Sequence, residues 1–514
     1  MTSHGEVIGD LLFTAAERNG DHPWVTFEGT SHTFIEARQK ALTSAGAFLD
    51  AGISRGDRVV FVARNSPELI FQWLGLALVG GIFVALNPDA PFPAVEQAIE
   101  RAAPVRVVVD PSAESAPQLM GRPYSAELRE YSQGAIPRKL PSVSGDDLVT
   151  FIATSGSTGQ PKMVMQTQRA YVLTAQAFPW WLGLDETDRM MTSLPLFHLN
   201  AQVYSTLGSL ASGNELVLME RFSASDFWEV AAASGATQVN MIGAMLEILM
   251  RQPPSPFEKN HNVRLIYTAP APSKSRHQEI EDRFGAELII GYGLSESPYG
   301  TIWPINEKPY ESMGRLRQHP VMGEINHGRI VDAEGREVAP GEVGELLLSN
   351  PATMAGYFGM DVETKRAFDN GWLKTGDLVR QDADGYFYFV SRRKHMIRRR
   401  GENLSATEVE KVLEENPLVI EAAVIGVPSE FTDEDVKAFI VSANTSESAA
   451  LDLHQWCTER LTRFKVPRYW EFVDDLPHTP TNRVAKHSLP PRLTGSEFDS
   501  STWLPPQPNA GDTN

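Results

Sequence analysis

Residues Thr154-Ser155-Gly156-Ser157-Thr158-Gly159-Gln160-Pro161-Lys162 bring together four hydroxyls, two glycines and one lysine. Glycine lacks a Cβ, so backbone N–H groups can crowd round an anion there. Ser and Thr hydroxyls add donors, and lysine adds a point charge. This composition suits a triphosphate. It is not a Walker A loop, because Pro161 stands where the second glycine of G-x-x-x-x-G-K-[ST] belongs. Alone, the stretch also reads as a polar hairpin loop. A second candidate, Gly291-Tyr292-Gly293-Leu294-Ser295-Glu296, ends on a carboxylate. That is the hard-oxygen ligand suited to a magnesium ion already carried by phosphates. Alone, it is a glycine turn with a solvated glutamate.

The loop lies between two predicted strands, 148–153 and 163–165. Upstream, Thr33-Phe34-Ile35-Glu36 is a capping box opening a helix to about residue 49. Strand 59–62, a helix started by Ser66-Pro67-Glu68, strand 82–86, helix 94–101 and strand 105–109 follow. Strands alternating with helices imply a parallel sheet covered on both faces. Residues 110–141, rich in Pro, Ser and charge, read as a surface connection. Downstream, helix 169–178 and strands 190–195, 215–219, 238–242, 265–268 and 287–290 keep the rhythm. From Gly328, short strands with Gly and Pro turns (329–331, 345–348, 386–390) suggest a smaller β unit. Helices 406–414 and 451–461 with strands 420–425 and 438–441 make an α+β module. The tail from Pro490 is rich in Pro, Ser and Thr, and disorder is expected there.

At 514 residues the chain exceeds one ordinary core, so more than one domain is expected. A net charge of -19 argues against nucleic acid and anionic membranes as partners, despite the basic run 391–400. Residues 1–10 carry charges and no apolar block, so no signal peptide is expected. The apolar run 73–86 is too short to span a bilayer. The single cysteine, Cys457, allows no internal disulfide and points to a reducing cytoplasm. A monomer or homodimer is expected.

The order of motifs resembles the adenylate-forming superfamily of acyl- and aryl-CoA synthetases, luciferases and peptide-synthetase adenylation domains. Residues 154–163 follow its T-S-G-[ST]-T-G-x-P-K-G, with Met163 for the last glycine. The resemblance implies that Thr154, Ser155, Gly156, Ser157, Thr158, Gly159 and Lys162 cradle the phosphates, Thr158 also beside the metal. Residues 292–296 match Y-G-x-[ST]-E. Tyr292 would pack on adenine between Gly291 and Gly293, Ser295 would approach the α-phosphate, and Glu296 would hold Mg²⁺. Residues 371–377 match G-W-x-x-T-G-D, where Asp377 would accept both ribose hydroxyls, its two oxygens matching a cis-diol. In Ser391-Arg392-Arg393-Lys394, like G-R-x-[KD], Arg392 would touch the ribose and Lys394 would fall on the interdomain hinge. Ile397, Gly401-Glu402-Asn403 and Glu408-Val409-Glu410 match the segment that lines the thiol path, where Gly401 leaves room. In Pro195-Leu196-Phe197-His198 the histidine would lie near the reacting carboxylate without transferring a proton. Residues 268–272 match the adenine loop weakly. The C-terminal P-x-[ST]-x-x-G-K-[VI]-x-[KR] is read in residues 477–486. Asn482 replaces its glycine, Arg483 replaces its lysine, and Lys486 is a second cation that could reach in.

The resemblance covers about residues 10–490 and is nearest the carnitine/crotonobetaine and medium-chain acyl-CoA ligase branch, through S-R-R-K-x-x-I, P-x-F-H-L-N and R-R-G-E-N-L. It implies an α/β adenylation domain of parallel-rich sheets with a small β-barrel-like unit (1–393). A mobile α+β domain (394–490) and a disordered tail (491–514) would follow. ATP with Mg²⁺ would activate a small carboxylic acid, fatty or aryl, as an acyl-adenylate with release of pyrophosphate. CoA is the expected co-substrate. Two alternatives stay open: transfer to an amine, and a nucleotide-binding member with impaired turnover, suggested by Arg483 and Met163.

Overall fold

Along the strand Arg58–Val62, Val59 and Phe61 enter one apolar cluster, and Val60 and Val62 enter another. Side chains of a strand alternate with period two, so a continuous apolar run marks a strand buried on both faces. Each such side chain contributes about 1.5–3 kcal/mol on burial. The structure, a computed structural model, describes residues 5–155, 161–399, 402–429, 434–478 and 484–503.

That strand lies within a seven-stranded sheet. Its order is Gly356–Tyr357, Pro161–Thr167, Leu148–Ser155, Ile82–Leu86, Arg58–Val62, Arg106–Val109 and Ser125–Glu127. The pairs are parallel except at Leu148–Ser155 with Pro161–Thr167, and Pro161–Thr167 with Gly356–Tyr357. The last strand, Ser125–Glu127, lies inside the stretch read as a surface connection. It is held by backbone pairing to Val107–Val109, and its Ser-Ala-Glu sequence carries no strand signal.

A second, nine-stranded sheet is parallel from Pro23–Phe27 through Glu287–Tyr292 and antiparallel at both edges. One large core joins it to the inner face of the first sheet. The helix Pro67–Leu78 lies within that core and is buried at every position but Glu68 in its first turn, as a helix apolar on nearly all sides must be. Its predicted cap is present, Leu69 N–H donating to Ser66 Oγ at 3.2 Å. The capping box Thr33/Glu36 opens the helix Phe34–Asp50. Met163, the departure from the phosphate-loop pattern, is fully buried in the outer cluster with Phe151 and Val84. It fills core, so it gives no reason to expect impaired turnover.

The small β unit is a five-stranded antiparallel sheet containing Trp372–Gln381 and Phe387–Arg392. One turn, Arg393–His395, leads to the hairpin Met396–Arg399/Glu402–Ser405. The remainder packs the helices Ala406–Glu414 and Glu447–Arg460 on a four-stranded sheet with its own core. Its edge strand is Phe498–Asp499, inside the tail expected to be disordered. The correction has a physical cause. Lys437 is wholly buried between Glu471, at 2.5 Å, and Glu497 of the tail, so the tail supplies a counter-charge that the domain core requires. Residues 504–514 lie outside the described residues.

Candidate active site

The strands Leu148–Ser155 and Pro161–Thr167 pair antiparallel up to Thr154↔Lys162 and Ser155↔Pro161. Gly156, Ser157, Thr158 and Gly159 lie outside the described residues, so the loop is located by its two stems. Thr154 is half-buried, and its Oγ1 is 3.4 Å from the Lys162 carbonyl. Lys162 Nζ sits 4.5 Å from the centre of the Tyr357 ring. The Tyr357 hydroxyl donates to Glu296 Oε1 at 2.9 Å. Burial, then the Glu296 carboxylate, push that hydroxyl above its ordinary value, which keeps it a donor.

The acidic turn is laced to the same strands. Gln166 Nε2 donates to the Ser295 carbonyl at 2.7 Å, and Met354 N–H to the Glu296 carbonyl at 2.8 Å. Glu296 is half-buried, and Tyr357 engages one of its two oxygens. A hard divalent cation fits the other, because a carboxylate offers several lone pairs. Glu296 would hold Mg²⁺ there. Gly291 and Gly293 are steric requirements. A Cβ at Gly291 would lie 2.5 Å from Arg317 Nη2, and one at Gly293 would lie 2.9 Å from Tyr204 Oη.

A second cluster closes the other end. Tyr292 hydroxyl donates to Asp377 Oδ2 at 2.7 Å, and Arg392 Nε lies 2.8 Å from Asp377 Oδ1. The Asp377 side chain is 1% exposed against 36% for Arg392, so the acid is fixed and the base reaches outward. Burial, then the Asp377 charge, hold Tyr292 protonated far above the ordinary tyrosine range. Gly376, at φ 72°, shapes the turn, and its N–H donates to Glu345 Oε1. Glu345 Oε2 takes Arg393 Nη1 at 3.0 Å, tying the strand Gly344–Ser349 to the turn that carries Lys394. Gly401 lies outside the described residues.

His198 closes a turn after the strand Arg189–Thr192, its N–H donating to the Pro195 carbonyl at 2.9 Å; it is half-buried, its ring 4.6 Å from that of Phe197. Two buried amides that the sequence reading passed over fix this loop. Asn65, after Arg58–Val62, donates to the Leu194 and Met219 carbonyls at 3.0 Å and accepts from Leu196 N–H at 2.8 Å. Gln202 donates to the Leu196 carbonyl at 2.7 Å and accepts from the Tyr171 hydroxyl. Asn65 thereby spans both sheets at the site. The helix Asn200–Leu207 is a π-helix, a form concentrated at functional sites.

Of the two C-terminal cations, Arg483 lies outside the described residues, its loop closed by the bridge His478↔Val484. Lys486 does not join the clusters above. It pairs with Glu410 at 2.5 Å inside the C-terminal domain. The physical reason is Glu410 itself, whose carboxyl burial pushes upward and which Lys486 and the Val424 N–H stabilise as the anion.

Residues 12–358 match the AMP-binding enzyme model, and residues 408–483 match the AMP-binding enzyme C-terminal domain model. The chain belongs to the AMP-binding enzyme family, and it is an AMP-forming, acyl-CoA-synthetase-like ligase. It is 31% identical over 487 residues to the crotonobetaine/carnitine–CoA ligase of Salmonella paratyphi B, covering 89% of this chain and 92% of that one. Among solved structures it resembles O-succinylbenzoate–coenzyme A synthetase from Bacillus subtilis. With ATP and magnesium bound, that enzyme has a TM-score of 0.83, is 26% identical, and covers 93% of this chain and 98% of its own. The same enzyme with its acyl-adenylate matches at a TM-score of 0.83 and 25% identity, covering 93% of this chain and 97% of its own. Among the described residues, no helix is long and apolar enough to cross a membrane.

Proposed function

We propose that this protein activates a small carboxylic acid with ATP and Mg²⁺ as an acyl-adenylate, releases pyrophosphate, and transfers the acyl group to the thiol of CoA. The observation that carries this is the pairing of two clusters on one turn. Gly291–Glu296 has Tyr292 bonded to Asp377, which pairs with Arg392, at one end, and Glu296 in contact with Tyr357 beside Lys162 at the other. A nucleotide has that polarity, with a diol at one end and polyphosphate at the other.

On this reading Asp377 and Arg392 bind the ribose, Lys162 and the loop stems hold the phosphates, and Ser295 faces the α-phosphate. When bound at Glu296, Mg²⁺ supplies charge that offsets repulsion between the anions. The acid carboxylate lies near His198, and Arg483 is the cation between it and the α-phosphate. The boundary between moving bodies falls at residues 393/394, where the chain leaves the β unit through one turn. The relatives named for CoA favour a thiol acceptor over an amine. The lone Cys457, which allows no internal disulfide, supports a cytoplasmic location; burial pushes its thiol up to about 12, leaving it inert.

Pyrophosphate release with a panel of acids, followed by product mass with CoA and with amines, tests the reading. The expected result is acid-dependent release and a thioester. An amide without thioester would replace the acceptor, and absence of release would overturn the ligase reading.

A further inference from the structure

Tyr357 stands between two groups of opposite charge at the phosphate end of the site. Its strand, Gly356–Tyr357, pairs with Pro161–Thr167, with Tyr357 opposite Val164. Lys162 is two residues from Val164, so it projects from the same face, diagonal to Tyr357 and within reach of a long side chain. This register puts the Lys162 ammonium 4.5 Å from the centre of the ring, a cation–π contact. The hydroxyl at the edge of that ring donates to Glu296 Oε1 at 2.9 Å. The ring is held in place, since Tyr357 is 8% exposed and its N–H donates to Thr364 Oγ1 at 2.9 Å.

Among the described residues, neither Lys162 nor Glu296 forms an ion pair, and both meet Tyr357 instead. The other end of the turn is built differently. There Arg392 pairs directly with Asp377, whose second oxygen takes the Tyr292 hydroxyl. Each site carboxylate thus accepts from a tyrosine, but only Asp377 is closed by a cation.

The difference has a physical use. Lys162 and Glu296 are both half-buried, where charges are screened less than in open water. A lysine carries a point charge on a flexible stem. An ammonium free to move this near a carboxylate would settle on it. Each group would then be lost to its own ligand, the lysine to phosphate and the glutamate to metal. A tyrosine prevents this because its ring face attracts the cation and its hydroxyl is a neutral donor. A charged side chain at the same place would itself pair with one of the two.

We propose that Tyr357 is a positioning residue that insulates Lys162 from Glu296, keeping both charges open to the metal-bound triphosphate. This rests on the phosphate and metal roles proposed above.

The test is the gain in ATP affinity given by saturating Mg²⁺, read by calorimetry as Kd in EDTA over Kd with the metal. No acid is present, so nothing turns over. The proteins are the parent, Tyr357→Phe, Tyr357→Leu, Lys162→Met and the double variant Tyr357→Leu/Lys162→Met, each checked for folding by circular dichroism. Tyr357→Met replaces Tyr357→Leu should that variant fail to fold. Tyr357→Leu should lower the gain about tenfold, because Lys162 then closes on Glu296. Removing Lys162 as well should bring the gain back to within about threefold of the parent, although metal-free ATP binding weakens. Lys162→Met alone should keep the gain. Tyr357→Phe keeps the ring and loses one hydrogen bond, so its gain should stay within about threefold of the parent. Lost packing is not repaired by a second truncation, so the rescue separates insulation from a structural role.

An unchanged gain in Tyr357→Leu overturns the proposal. So does a loss that Lys162→Met fails to repair, or an equal loss in Tyr357→Phe. Each of these leaves the ligase reading standing, since the parent still binds ATP more tightly with the metal. A parent with no gain removes the metal role of Glu296 and the proposal together, and a parent that binds no ATP removes the ligase reading as well.

Discussion

Asp377 and Arg392 are Cα partners across neighbouring strands, and Arg392 Nε lies 2.8 Å from Asp377 Oδ1. The ladder register therefore sets the distance between the acid and the base, and the Tyr292 hydroxyl holds the acid from the other side. Ribose contacts are binding contacts remote from the reacting phosphorus. Asp377→Asn keeps the shape and removes the charge. We expect KM for ATP to rise about tenfold with a smaller change in kcat. Calorimetry of nucleotide binding checks this, and unchanged affinity would remove Asp377 from the site.

Glu296→Gln should abolish most adenylation and leave the fold intact. The amide oxygen still accepts from Tyr357, so the packing contact survives while the charge proposed to hold the metal is lost. Pyrophosphate exchange should fall about a hundredfold or more, equivalent to about 2.7 kcal/mol of barrier. Exchange within a few-fold of the parent would show that Glu296 does not hold the metal.

The strands of both large sheets were legible because runs such as residues 58–62 and 82–86 are β-branched and apolar, and caps such as Thr33/Glu36 are local. Their division into two sheets was not. The pairing of Pro23–Phe27 with Glu215–Leu218 joins residues about 190 apart, and nothing local encodes it. Glu296 and Asp377 stood out as candidates because glycines flank them in a fixed order. The contacts of Asn65 and Tyr357 were not legible, since each bonds to partners distant in sequence. For Lys486 only the charge was legible, and its partner Glu410 was not.

Asn65→Ala should lower kcat with KM for ATP unmoved. It leaves the Leu194 and Met219 carbonyls and the Leu196 N–H unpaired in a buried site, loosening the loop that presents His198. The stability cost should be about 2–4 kcal/mol, from several buried groups left unsatisfied. Steady-state kinetics and a denaturant titration read the two effects. A stability loss with unchanged kcat would confine Asn65 to the core.

Glu281 links the helix Lys274–Phe284 to the strand that ends in Tyr292. It accepts from Leu288 N–H at 2.9 Å and pairs with His277 at 3.1 Å and Lys308 at 2.6 Å. Burial opposes the anion, but these three donors outweigh it and hold the carboxyl at about 2, against an ordinary 4.5. A depressed value stabilises the fold fully above pH 4.5. That contribution declines as pH falls and is gone below about 2. Its size, discounted for partial exposure, is about 1–3 kcal/mol. Glu281→Gln should lower Tm at pH 7 and flatten its fall between pH 4.5 and 2, measured by thermal melts across that range. Parallel curves for parent and variant would contradict the assignment.

The two C-terminal cations separate by what a rigid rotation can change. Lys486 and Glu410 both belong to the C-terminal domain and are 2.5 Å apart, so turning that domain as a body leaves the pair closed. Freeing Lys486 would strand the buried Glu410, and breaking a buried pair costs about 3–5 kcal/mol. On the proposed reading the catalytic cation is therefore Arg483. Its guanidinium keeps the charge of a lysine but not its compact shape, so adenylation should be present and slow. Arg483→Lys should raise it by about tenfold, or about 1.4 kcal/mol, and Arg483→Ala should lower it further. Lys486→Met should lower Tm while leaving pyrophosphate exchange per folded molecule within about threefold, or about 0.65 kcal/mol. Exchange is measured for all four proteins with one good acid, below the melting temperature of the weakest. A slower lysine variant would show that the site is fitted to arginine. Loss of exchange in a folded Lys486→Met would return the role to Lys486 and require the Glu410 pair to open during the cycle.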